Sequence, residues 1–117
     1  MKVRMIAIAA AAFGALGLSA ADLPGKAVYE NTCQFCHGAE GAGSGAADTF
    51  WKLRIPRLNS PAVQNKSDEH LDGIILHGVR RMAPVRMGTP SSPHRSKLTP
   101  EQRKDVLAYV RSFAKKP

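Results

Sequence analysis

Two cysteines separated by two residues and followed at once by a histidine constrain this 117-residue chain more than any other feature. The run is Cys33-Gln34-Phe35-Cys36-His37, and it contains both cysteines of the sequence. On a helix the two thiols would lie about one turn apart. A disulfide between them would close too small a loop to staple a fold, so a structural bridge explains them poorly.

The N-terminus bears on the same question. Lys2 and Arg4 precede an uncharged stretch from Met5 to Ala21, which ends in Ser19-Ala20-Ala21 before Asp22. This is the pattern of a secretory signal peptide at 1–21, cut after Ala20 or Ala21. A retained anchor is the alternative, but the apolar core reaches only Leu18 and is shorter than the roughly 20 residues that span a bilayer. The domain to be folded is therefore 22–117, small enough to bury only a modest share of its surface. Something besides side chains is expected to help fill its core.

No repeat, low-complexity tract or sustained period-two alternation occurs, so the domain reads as all-α. A first helix is expected from about Pro24 into the cysteine motif, with Val28 and Tyr29 on its apolar side. From Gly38 to Asn65 the chain is loop-like, crowded by Gly38, Gly41, Gly43 and Gly45 and punctuated by Pro56 and Pro61. Apolar Phe50, Trp51, Leu53, Ile55 and Leu58 lie within it, as in a loop that wraps something. Ser67 caps a second helix, with Asp68 and Glu69 in its first turn, Leu71, Ile74 and Ile75 on one face, and Gly78 at its end. Pro84, Pro90 and Pro93 oppose a long helix in the irregular segment from Val79 to Leu98. Thr99-Pro100-Glu101-Gln102 is a capping box that opens a last helix running to about Ala114, with Val106, Leu107, Val110 and Phe113 as its apolar set.

The cysteine motif has the form of a c-type haem attachment site. Two thiols one turn apart can add to two vinyl groups on one edge of a porphyrin, and the adjacent histidine brings its imidazole to the iron. Covalent linkage would keep haem in a domain too small to bury it fully. A thioredoxin-like thiol pair is a second reading, but it wants a neighbouring βαβ pattern that is not visible. A zinc site is a third, and would need a ligand from His70, His77 or His94, none at paired zinc-ligand spacing.

From about Leu23 to Phe113 the chain resembles the class I c-type cytochromes. Gly25 and Tyr29 stand eight and four residues before Cys33, as that family's pattern asks, and Val106 and Tyr109 suit the partner helix. The resemblance implies a cytochrome c-like fold of about three main helices and long loops wrapped around one covalently bound haem, with Cys33 and Cys36 as attachment points and His37 as an iron ligand. It also implies a sixth ligand, a methionine before the last helix. Met82, in Met82-Ala83-Pro84, fits this role, although Ala83 separates it from the usual proline. Met87 is the competitor, and a second histidine or an open site are the further alternatives. The same resemblance assigns the Pro56 carbonyl as acceptor for the free ring nitrogen of His37 and puts Leu58 on the haem face.

One-electron transfer in the periplasm, with His/Met axial ligation, is the function these residues lead one to expect. The rivals are a haem subunit of a periplasmic dehydrogenase and, with an open sixth site, a haem enzyme or gas sensor. Charge bears on partners. Residues 22–72 hold five Lys/Arg against seven Asp/Glu, whereas 73–117 hold ten against two. Such a basic half suits a redox protein with an acidic docking surface, or simply keeps an exported protein soluble. Export and the lack of an aromatic-rich platform argue against nucleic acid, and signal cleavage would leave no stable membrane insertion.

Overall fold

The computed structural model describes residues 23–43, 45–46, 52, 55–80, 82–88 and 95–115. Its elements are helices α1 (Gly25–Thr32), α2 (Gln34–His37), α3 (Pro61–Gln64) and α4 (Asp68–His77), strands β1 (Arg86–Met87) and β2 (Ser96–Lys97), helix α5 (Pro100–Ser112), and a closing 3₁₀ turn, Phe113–Lys115. The expected signal peptide, Phe50, Trp51, Leu53, Arg81, Pro90, Pro93 and His94 lie outside the described residues. Among those described, no helix is long and apolar enough to cross a membrane.

Local capping chemistry sets the helix ends. The Ser67 hydroxyl accepts from the His70 N–H at 3.1 Å, and Gly78 ends α4 at φ 78°. At α5 the capping box is complete, with the Thr99 hydroxyl accepting from the Gln102 N–H at 3.1 Å and the Gln102 side chain accepting from the Thr99 N–H at 2.9 Å. The first helix departs from expectation by breaking at Cys33 into α1 and α2. There the Thr32 hydroxyl donates back to the Val28 carbonyl at 2.5 Å, a local bond that bends helices. Beyond the break, the Cys36 N–H reaches the Cys33 carbonyl three residues back. Two further elements were not expected: the single turn α3, opened by Pro61, and the antiparallel β1–β2 pair, in which Arg86 faces Lys97 and Met87 faces Ser96.

The core is built where α1 crosses α5. A Cβ on Gly25 would overlap the Asp105 carbonyl, so the two backbones touch there without an intervening side chain. One turn along, Tyr29, Tyr109 and Phe113 form a mutually tilted cluster with ring centroids 5.1–5.2 Å apart, the spacing and geometry aromatic pairs favour. Val106, fully buried, packs beside them. Leu71 and Ile75 bring α4 against this core, and ion pairs fasten its polar side to α5: Arg103 with Asp72 at 2.7 Å and Arg111 with Asp68 at 2.8 Å.

Two glycines should answer oppositely to the same substitution. Gly25→Ala would force the crossing apart at a cost of about 1–3 kcal/mol, more than helix propensity returns. A Cβ on Gly73 of α4 meets nothing within 4 Å, so Gly73→Ala should stabilise by about 0.5–1 kcal/mol. Thermal unfolding of the haem-loaded variants checks this, and shifts of the same sign would contradict the packing described.

Candidate functional site

The break at Cys33 places two thiols and an imidazole at the end of the α1–α5 crossing. Cys33 is buried, and burial pushes its thiol up to about 11 although the Thr32 hydroxyl, 3.2 Å away, acts in the other direction. Cys36 is half-buried and its thiol is raised for the same reason. Both are free, with no disulfide between them. Disulfide-exchange thiols are depressed rather than raised, and among the described residues no βαβ unit adjoins the motif, so the thioredoxin-like reading finds no support here. The zinc reading loses support as well: among the described residues no three His, Cys, Asp or Glu converge on one point, and His70 and His77 are exposed on α4.

His37 is 8% exposed, and burial lowers its pKa, with the Pro56 carbonyl pulling the other way. Its Nδ1 lies 3.4 Å from that carbonyl oxygen. A carbonyl only accepts, so the neutral ring carries its proton on Nδ1 and leaves the Nε2 lone pair available to a metal. Two free thiols beside an imidazole so prepared fit a covalently held, iron-containing group. Pro56 and Leu58 lie on one loop beside this ring, Pro56 by its carbonyl and Leu58 by packing against the core.

The backbone after His37 is folded back and fastened. Gly38 has φ 82°, and a Cβ there would overlap the Gly43 carbonyl. The Gly43 N–H donates to the His37 carbonyl at 2.9 Å, and the Tyr29 hydroxyl donates to the Gly38 carbonyl at 2.6 Å. Tyr29 therefore joins the helix crossing to the residue that follows His37. Burial raises the Tyr29 hydroxyl pKa well above its ordinary value, so it serves as a neutral donor. The Leu58 N–H donates to the Gly41 carbonyl at 2.7 Å, holding the Pro56 segment against this turn.

The two candidate methionines sit in different surroundings. Met82 is half-buried at the end of a tight turn, in which Val79 and Met82 exchange both backbone hydrogen bonds at 2.9 Å and Arg80 has φ 52°. A Cβ at Gly78 would stand 2.5 Å from the Met82 carbonyl, so only glycine lets this turn close against the end of α4. The Val85 N–H, donating to the Ile75 carbonyl at 2.9 Å, pins the other side. Met87 lies on β1 and packs against the hydrophobic core. Residues the sequence left unremarked are Gln64 and Arg111, whose hydrogen bonds span α3, the Leu58 loop and α5. A polar residue in a loop carries no signal of a partner 46 positions away.

The sequence model of the family described as Cytochrome c matches residues 23–114. Among solved structures, the KustC0563 c-type cytochrome is similar at 29% identity, with a TM-score of 0.57 over 78% of this chain and 98% of that one. No curated protein sequence matches. With the family shown over nearly the whole described domain, and with free thiols and a neutral imidazole suited to its cofactor, the chain belongs to the cytochrome c family, whose members bind haem c and its iron covalently and transfer electrons.

Proposed function

We propose that this chain is an exported one-electron carrier in which Cys33 and Cys36 hold the haem by thioether bonds while His37 Nε2 and Met82 Sδ ligate its iron. Haem iron, when bound, supplies the exchange between ferrous and ferric states. The observation that carries the reading is the His37 ring, buried beside two free thiols with Nδ1 turned to the Pro56 carbonyl. That bond would hold the ring in one orientation and raise its basicity as a ligand. Met82 is favoured over Met87 because its turn is fastened to α4 on both sides while its side chain is not among those packed on the core. Residues 1–21 act as the signal peptide, which puts the mature domain in the periplasm.

An acidic partner is supported by the hairpin. Cross-strand neighbours share a face, so Arg86 and Lys97 lie side by side, opposite to the face on which Met87 meets the core. Like charges so placed oppose each other by about 0.2–1 kcal/mol, and neither has an acidic ion-pair partner among the described residues. Arg80 and Arg95 are exposed nearby in sequence, and residues 73–100 contain no acid. This basic run flanks Met82 and suits steering of an acidic redox protein.

Absorption spectra assign the sixth ligand. Met82→Ala should abolish the methionine-to-iron charge-transfer band, whereas Met87→Ala should keep it and instead cost about 1–2 kcal/mol of stability; the reverse pattern would reassign the ligand to Met87. Electron exchange with the physiological partner should slow as ionic strength rises. A rate that does not change with salt would contradict the docking reading.

A further inference from the structure

Gln64 ends α3, and its side-chain amide has two N–H bonds to give. It gives both: Nε2 donates to the Leu58 carbonyl at 2.7 Å and to the Val110 carbonyl of α5 at 3.0 Å. The Gln64 backbone is fastened in turn, because Arg111 Nη1 donates to its carbonyl at 2.7 Å. Arg111 continues to the Lys66 carbonyl at 2.6 Å and to Asp68. One side chain thus ties the loop beside His37 to the last helix.

Leu58 is held at both polar groups of its backbone, the N–H by Gly41 and the carbonyl by Gln64. Pro56, two residues earlier, takes its direction from this fixed point. The contact it makes with His37 Nδ1, at 3.4 Å, lies at the long end for a hydrogen bond. Displacements of a few tenths of an ångström therefore decide whether the bond is made.

We propose that Gln64 is a positioning residue for the iron ligand: by fixing Leu58 against α5 it sets the Pro56 carbonyl on His37 Nδ1, and so sets how strongly the imidazole donates to iron. The inference rests on His37 being that ligand. A stronger bond to Nδ1 makes the ring more basic and favours the ferric state. Losing the tie should weaken the bond and raise the midpoint potential.

The test compares haem-loaded Gln64→Met, which keeps side-chain length without donors, with Gln64→Asn, whose shorter amide cannot span both carbonyls. Thr99→Ala is the control, since it removes the cap of α5 without touching the His37 loop. The readouts are the midpoint potential and the exchange rate of the His37 Nδ1 proton, followed by NMR in the ferrous protein. Both Gln64 variants should raise the potential, and Gln64→Met should exchange that proton about tenfold faster; Thr99→Ala should move neither. Unchanged potential and exchange in the Gln64 variants, or equal changes in Thr99→Ala, would overturn the inference and leave Gln64 a purely structural strap. If Gln64→Met does not fold, Gln64→Asn against Thr99→Ala decides. Failure of the ligand assignment shows separately, in the ferric protein, as wild-type His37 ring protons without a paramagnetic shift.

Discussion

The backbones of α1 and α5 meet at Gly25 and Asp105, and the geometry of the cofactor site follows from that contact. Close approach brings Tyr29 into the cluster with Tyr109 and Phe113, and the Tyr29 hydroxyl is thereby carried to the Gly38 carbonyl. Gly38 follows His37 directly, so the helix crossing and the placement of the imidazole are one construction. A side chain at residue 25 would alter both. The domain is small, and its hydrophobic core consists largely of this crossing with Leu71, Ile75 and Leu98 added at the margin. Haem, when bound, would add apolar contact to this small core.

Burial also determines the chemistry. It pushes the thiol of unreacted Cys33 up to about 11 and favours neutral His37. Neutral imidazole with Nδ1 committed to Pro56 can offer Nε2 to iron, whereas a charged ring could not. The loop that provides Pro56 is held at Leu58 by Gly41 and Gln64, so the orientation of the ring depends on residues far from it in sequence. Arg103 and Arg111 are paired with Asp72 and Asp68, whereas Arg86 and Lys97 face each other across the hairpin.

How legible each feature was depended on the range of the interaction that fixes it. Ser67, Gly78 and the Thr99–Gln102 box act within one turn, and the structure has each where the sequence put it. The Cys33-to-His37 motif is equally local, and its family form was readable from residue spacing alone. The resemblance supplied the long-range contacts of Gly25 and Tyr29 with α5, and also Pro56; residue patterns would not have found them. Other features had no such guide. The break at Cys33 is accompanied by a Thr32 hydroxyl bond to the Val28 carbonyl, which residue patterns do not announce. Strands β1 and β2 are two residues each, too short for alternation to register, and they pair across an intervening segment. Gln64 acquires its role only when α5 is laid beside α3.

Covalent attachment of haem through Cys33 and Cys36 is the claim on which the ligand geometry, the filled core and electron transfer all depend. The mass of the mature protein after denaturation in acid and organic solvent tests it most directly. The chain should retain the mass of one haem under these conditions, and a variant with both Cys33→Ala and Cys36→Ala should run at the mass of the polypeptide alone. A wild-type chain that loses its haem on denaturation, or a double variant that keeps it, would contradict the account.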